Sequence, residues 1–481
     1  MKNKPYKMPI ARAYKDIKLR ESGISKPAIF LIRFLARPYL FFFIGWAKII
    51  LRGEQHLFDS FKRALSGKSR CIIAFRHPYG PEPQILSWFF LYKLKKYAAG
   101  SGIRFAHNPH ALFVYGYEVL RWGGRAARFI MPKIGALPVH HSKMDNHGMA
   151  RINKAIMDGP YPVALAPEGQ VSYSAHSLPR LENGVVRLGF NAAEKLNAKF
   201  AEAGTASTGA DGAAAAAISA GEEIPTVEIL PVSIKFHYNK GSWKAMNKLI
   251  VKLEKLCGLY SRGTDKSPSG FKDRLTAIRE YILKLNEDVY GITVSNSHVS
   301  GDSAASAENL TFNERLDLVM EKALESAERI MGLKNEGDFF FRIYRLRQVC
   351  WDRIYIPELD SFNDMTILEH NIMDINAGEA WYASRHQELV DFCWYFRVSV
   401  PEIDAGIDIN AEYVQNLWDF ASRSMGGAIS DRKVIFPSRI IIHSSAPINL
   451  SNSLPSYHQD KKTAISKAME DLEKGFLESI G

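Results

Sequence analysis

Short apolar runs punctuate the first half of the chain, separated by polar or amphipathic stretches. Cys71–Phe75 (CIIAF), Tyr161–Ala166 (YPVALA) and Val227–Phe236 (VEILPVSIKF) are such runs, each bounded by polar residues or proline, which is the pattern of buried strands. Pro231 inside the third run predicts an edge or a bulge, because proline has no N–H to give to a ladder. Gln84–Leu94, after the first run, has the spacing of a helix. Strands alternating with helices predict an α/β domain with a mixed sheet flanked by helices.

The period changes from Thr311 onward. Thr311 with Glu314 three residues later forms a capping-box pattern, and Phe312, Leu316, Val319, Ala323, Ala327 and Ile330 follow at helical spacing. Further helices are predicted over 338–353, 378–396 and 411–424. Arg342, Arg345, Arg347 and Arg353 read as a solvated helix face, and Trp394, Tyr395 and Phe396 as core. Arg439–His443 (RIIIH) returns to the strand pattern, Ala446-Pro447-Ile448 follows, and Lys461–Ile480 closes the chain as a helix. A strand after a helical block predicts that the block is inserted into the α/β domain. The expected organisation is an N-terminal segment 1–65, a core 66–237, an inserted mostly helical module 243–433, and a closing strand and helix of the core, 437–480. Ala201–Glu223 and Ser295–Glu308, rich in Ala, Gly, Ser and Thr, are predicted to be an exposed loop and a linker.

Pro27–Leu51 is strongly apolar and aromatic, yet Arg33, Arg37 and Lys48 interrupt it. Its uncharged stretch, Pro38–Ala47, is shorter than the roughly 20 apolar residues a bilayer span needs. Cations beside aromatic rings suit a membrane interface, where rings sit at headgroup level and cations meet lipid phosphates. The competing reading is a helix pair packed on the protein's own core. Composition agrees with a folded chain: 481 residues, 46% hydrophobic and 23% charged. The formal charge of +11 favours an acidic partner, either an anionic membrane or a phosphorylated substrate. Nucleic acid is disfavoured, because the charge is not joined to a recognition module. Four separated cysteines without a CxxC pair argue against structural zinc and a disulfide framework, and for reduced, buried thiols.

The segment richest in candidate chemistry is Phe75–Gln84 (FRHPYGPEPQ). His77 follows the first strand directly, and Glu82 comes five residues later among Pro78, Pro81 and Pro83. A strand end holds the imidazole, and a proline-fixed turn can fold the carboxylate back onto it. A carboxylate on one ring nitrogen selects the tautomer and leaves the other nitrogen as a base. Three further blocks follow in order: Gly135–Lys143 (GALPVHHSK), Ala166–Ser172 (APEGQVS) and Leu230-Pro231-Val232. His107, His110, His140, His141 and His147 lack supporting ligand spacing, so no metal site is predicted.

This succession resembles the glycerolipid acyltransferase family, which includes lysophosphatidate and glycerol-phosphate acyltransferases. The family's four ordered blocks read approximately His-x4-Asp, G-x-x-F-I-x-R, F-P-E-G-T-R-S and a V-P-V strand. His77 and Glu82 occupy the first, with Glu in place of Asp. Gly135 and His141 occupy the ends of the second, with His in place of Arg. Pro167, Glu168, Gly169 and Ser172 match the third, where Gln170 and Val171 replace Thr and Arg. Pro231 and Val232 match the fourth. The resemblance covers about 66–237 and, loosely, 437–480; the helical module lies outside it. It implies a membrane-associated O-acyltransferase at the cytoplasmic face, moving an acyl group from acyl-CoA or acyl carrier protein to the hydroxyl of a lipid or lysophospholipid acceptor. It implies His77 as general base and Glu82 as its orienting carboxylate, with no cofactor beyond the thioester co-substrate. Gly135, His141, Lys143, Glu168, Gly169, Ser172 and Pro231 would line the substrate site, with backbone N–H groups near the third block as oxyanion donors. The two missing arginines leave His141, Lys143, Arg180 or Arg187 to hold a phosphate. They also raise the alternatives of a non-phosphatidate acceptor or a lipid-binding scaffold with a worn site.

Overall fold

The structure, a computed structural model, describes residues 12–15, 20–117, 119–120, 123–140, 145–205, 224–259, 268–292, 310–356, 362–427 and 431–480. His141, Lys143 and most of the two low-complexity stretches lie outside these residues. Numbered along the chain, the strands are β1 Tyr14–Lys15, β2 Lys48–Arg52, β3 Ser69–Phe75, β4 Leu112–Gly116, β5 Leu137–Val139, β6 Val163–Leu165, β7 Thr226–His237, β8 Tyr355–Ile356, β9 Arg439–Ser444 and β10 Ile448–Asn449. Three helices matter for the site: α1 Lys26–Ile44, α2 Glu54–Leu65 and α3 Glu82–Phe89.

The chain divides into two compact units. A sheet unit comprises Arg20–His140, Asp145–Asn239 and Phe436–Gly481; a helical unit comprises Met1–Leu19, His141–Met144 and Lys240–Ile435. The sheet runs β2-β9-β7-β3-β6-β4-β5, with β10 also paired to β7. It is mixed: β3 is parallel to both β6 and β7, whereas β7 and β9 are antiparallel. Central position explains the composition of β3. Ile72, Ile73 and Ala74 have no exposed surface, because helices cover both faces of the sheet. On one face, Ile72, Val163 and Ile229 pack with Val185, Phe190 and Phe476 from the helices Gly184–Thr205 and Lys461–Ile480. On the aromatic side, Phe61 of α2 meets Phe90 at 4.9 Å, and Phe75 and Phe90 both meet Phe113 of β4.

Two expectations are corrected here. First, β7 is an interior strand and not an edge. Residues 230 and 232 turn their backbones toward β3, as the bond from Arg76 N–H to the Val232 carbonyl shows, so Pro231 faces the other neighbour. On that side, β10 pairs at Glu228 and Ile229 and β9 takes over at Val232. Pro231 falls between the two partners, where its carbonyl accepts from Ser445 N–H and no donor is required. Second, the α/β core begins before residue 66. Lys48–Arg52 is not the tail of an interfacial segment but a strand paired in parallel with β9, and α2 packs on β3.

Within α1, Leu40 and Ile44 are buried, while Phe34, Phe42 and Trp46 just beyond are 60%, 71% and 76% exposed. Among the described residues no single helix is long and apolar enough to cross a membrane. Lys26–Ile32 and Phe34–Ile44 have the length and apolar composition of a span only as a pair bent by 46°.

The helical unit holds Ser242–Leu256, Pro268–Val289, Phe312–Met331, Phe339–Ile354, Ile367–Tyr395 and Ile407–Ser424. Thr311 with Glu314, and Thr366 with Glu369, form complete capping boxes. The arginines read as a solvated face are instead paired. Arg342, 5% exposed, bridges Glu321 and Glu328, Arg345 joins Glu328, and Arg347 joins Asp391. Phe396 is core, and Trp394 packs against Phe339 and Phe340. All four cysteines are buried and unbridged.

Candidate active site

The site is built where β3 ends. Its last residue is Phe75, so Arg76 and His77 leave the sheet from a strand fixed on both sides. Gly80 takes φ +105°, a value open to glycine at little cost, and Pro81 precedes the first helical residue, Glu82. The turn Pro78–Pro81 therefore reverses the chain within a few residues and brings Glu82 beneath the imidazole.

Glu82 is fully buried, with three donors around its carboxylate. Tyr79 N–H reaches Oε1 at 2.5 Å, Gly80 N–H reaches Oε2 at 2.7 Å, and His77 Nδ1 lies 2.7 Å from Oε2. Its place on the first turn of α3 adds the positive end of the helix dipole. The contact of Oε2 with Nδ1 holds the ring proton on Nδ1 and leaves Nε2 with its lone pair. Nε2 has no hydrogen bond among the described residues, and the His77 side chain keeps 17% of its surface exposed. Burial pulls the His77 pKa down, but the charge and hydrogen bond of Glu82, with a smaller contribution from Glu168, raise it above the ordinary value.

A second layer fixes the backbone on which His77 rides. Glu168 accepts the His77 N–H at 2.8 Å through Oε2 and the Arg76 Nε–H at 2.6 Å through Oε1. Arg76 is 2% exposed and also donates from Nη2 to the carbonyls of Ser174 at 2.6 Å and Ser177 at 3.0 Å. The His77 carbonyl accepts from Ser172 N–H at 3.0 Å. The segment 168–177 is thus clamped to residues 76 and 77. Tyr79 lies flat on Phe236, with centroids 3.8 Å apart, and its hydroxyl accepts from Phe236 N–H.

The residues expected to line an acceptor pocket separate into groups. Glu168 is not open to an acceptor: both oxygens are engaged and it is 3% exposed, so it acts as a positioning residue. Gly169 adopts φ +72° in the turn after β6, and a Cβ there would meet Glu182 at 3.0 Å. Ser172 joins the site through its backbone, and its buried Oγ has no hydrogen-bond partner among the described residues. Gly135 stands before β5, at the end of that parallel strand opposite to the edge where His77 emerges. Its φ of +71° and the 2.7 Å from a Cβ to Leu112 make it a packing requirement of the turn. Pro231 packs against Gly475 of the closing helix, again within the core. Two expected oxyanion donors are spent inside the fold, Gly169 N–H on the Ala166 carbonyl and Ser172 N–H on His77. Val171 N–H between them has no hydrogen bond among the described residues.

Sequence reading missed Arg76 and Tyr173. Arg76 carried a signal: a charge at the end of a buried strand needs a paired counter-charge. Tyr173, buried at φ +58°, is the non-glycine residue with positive φ among the described residues, and its strain lies one residue from the contact with His77. No group of three metal-ligating side chains occurs among the described residues. The chain matches no protein-family model, no curated protein and no solved structure.

Proposed function

We propose that this chain is a membrane-associated O-acyltransferase acting at the cytoplasmic face, on a glycerophospholipid precursor such as lysophosphatidate. The observation that carries the reading is the His77–Glu82 pair at 2.7 Å, with Nδ1 engaged and Nε2 uncommitted, on a backbone clamped by the segment around Glu168. That arrangement suits removal of a proton from a hydroxyl. Nε2 takes the acceptor proton as the oxygen attacks the thioester carbonyl of acyl-CoA or acyl carrier protein. Glu82 stabilises the imidazolium and Val171 N–H is the candidate donor to the oxyanion. As the C–S bond breaks, the thiolate leaves and recovers the proton from His77. No step needs a covalent enzyme intermediate or a redox cofactor.

Transfer of a labelled acyl group by purified wild type and His77→Ala tests this. A fall of roughly 10²–10⁴-fold is expected for loss of a general base; equal rates would remove the assignment. A second reading, acylation of a non-phosphatidate acceptor, rests on the two missing arginines, His141 and Val171 standing where the resembled family has Arg. Acceptor profiling decides it, since strict dependence on a glycerol phosphate would exclude it. A lipid-binding scaffold without turnover is the outcome in which neither protein transfers acyl groups to any acceptor.

A further inference from the structure

A cavity of about 600 Å³ opens beside α1, away from the His77–Glu82 pair. Arg37 of α1, Lys48 of β2, and Lys93 and Lys96 following α3 line it, together with Trp88 and Tyr97. No acidic side chain lines it, and none of the four cations makes an ion pair among the described residues. The one compensating contact type is aromatic. The Arg37 guanidinium lies 5.0 Å from the Trp46 ring and 5.8 Å from Trp88, and Lys93 Nζ lies 5.4 Å from Trp88. Other arginines withdrawn from solvent, such as Arg76, Arg274 and Arg315, are paired with carboxylates. Four like charges around one concavity repel one another and concentrate a positive field in it, which an anion would relieve.

The surroundings select the kind of anion. α1 contributes Arg37 to the cavity and presents Phe34, Leu35 and Phe42 to solvent, and Trp46 stands exposed just before Lys48. A soluble phosphate ester has no use for an apolar row beside its binding site. A phospholipid has, because its chains continue where the headgroup ends. We propose that this cavity seats the phosphate of an anionic phospholipid, whose acyl chains lie along the exposed face of α1. The register Lys48–Arg439–His237 sets Lys48 at the sheet edge from which β3 delivers His77, so a seated headgroup brings that edge to the membrane surface. The inference deepens the membrane association proposed above and does not rest on catalysis by His77.

Co-sedimentation of the full chain with vesicles tests it, at physiological ionic strength and with stability checked by thermal unfolding. Wild type is expected to partition onto phosphatidylcholine vesicles containing about one quarter phosphatidylglycerol, and weakly onto pure phosphatidylcholine. Removing a cation near an anionic surface costs about fivefold in partition. Lys93→Gln/Lys96→Gln is therefore expected to fall about 25-fold, while Lys93→Arg/Lys96→Arg keeps wild-type binding. Lys467→Gln/Lys474→Gln removes the same charge from the exposed face of the closing helix and is expected to bind as wild type. Equal losses in the two Gln pairs would mean that bulk charge alone acts and would overturn the pocket. Release of the protein by millimolar inorganic phosphate or CoA at constant ionic strength would assign the cavity to a soluble phosphate and overturn the lipid. Acyl transfer in detergent micelles is expected to be unchanged in the Lys93/Lys96 pair, so failure of this site and failure of the catalytic reading are read separately.

Discussion

Glu82 does two jobs with one carboxylate: it closes the turn through Tyr79 and Gly80 and it orients His77. The longer glutamate arm fits because the residue starts a helix directly beneath the ring. Neutral His77 is the working base, and its pKa is raised, so activity should climb with pH through a midpoint above the ordinary value near 6.5. Glu82→Gln leaves burial as the main influence, and burial lowers a histidine pKa. The rising limb should move to lower pH while the plateau falls about 10²–10⁴-fold; a pH–rate profile of both proteins checks both. The stability linkage has the opposite sense. The charged pair contributes most below the unfolded value near pH 6.5, and its contribution is lost as pH rises through the folded value. Arg76 and Glu168 make the second residue-scale prediction. Removing one partner strands a buried charge, so Arg76→Met should cost about 3–5 kcal/mol in urea unfolding. Arg76→Met/Glu168→Leu should recover most of that loss, because no charge is then left unpaired. The His77–Glu82 pair was legible because five residues and three prolines make it a local motif. The Arg76–Glu168 pair was not, because its partners stand 92 residues apart and meet only once β3 and β6 are neighbours.

Strands buried on both faces announce themselves as unbroken apolar runs, and β3, β6 and β7 were legible on that ground. β2 was hidden: its sequence KIILR continues an aromatic helix, and its partner β9 comes nearly four hundred residues later. Pro231 misled for a related reason. The rule that proline marks an edge assumes one continuous neighbour, whereas β7 changes neighbours at that residue. The site acquires rigidity from this, since Val232, next along, receives Arg76 N–H. The exchange Pro231→Ala tests the account. At an exposed edge it would shift stability by less than about 1 kcal/mol, through the unfolded chain. Here the new N–H would stand on the side of buried Ser445, which already donates to the Pro231 carbonyl and offers it no free acceptor on the backbone. A buried donor without an acceptor costs about 1–3 kcal/mol. Chemical denaturation is therefore expected to show a loss in that range, and a neutral result would return β7 to the status of a tolerant edge.

The long insertion is a property of the whole molecule that the return of strand pattern at Arg439 made legible. β7 ends at His237 and β9 begins at Arg439, and these two residues are paired across an antiparallel ladder. Ser438 N–H closes onto the His237 carbonyl at 2.8 Å. In the sheet unit this is a hairpin, and the chain between its strands forms most of the helical unit. Hairpin register depends on the ladder and the turn, so a short Asn-Gly connection replacing 240–435 satisfies the same geometry. The side-chain hydrogen bonds of His77, Glu82, Arg76 and Glu168 are made within residues 76–177, and Arg76 N–H reaches Val232 of β7, all outside the deleted stretch. The shortened chain is thus expected to unfold cooperatively, with a urea m-value reduced in proportion to the surface no longer exposed. Amides of β3 and β7 should remain the slowest to exchange. His77-dependent transfer from a free acyl-CoA should persist, because the proton-transfer pair and its supports remain. If amide protection in β3 collapses, the helical unit is part of what holds the sheet; if the sheet survives and transfer stops, the helical unit supplies a substrate contact that the His77 loop lacks.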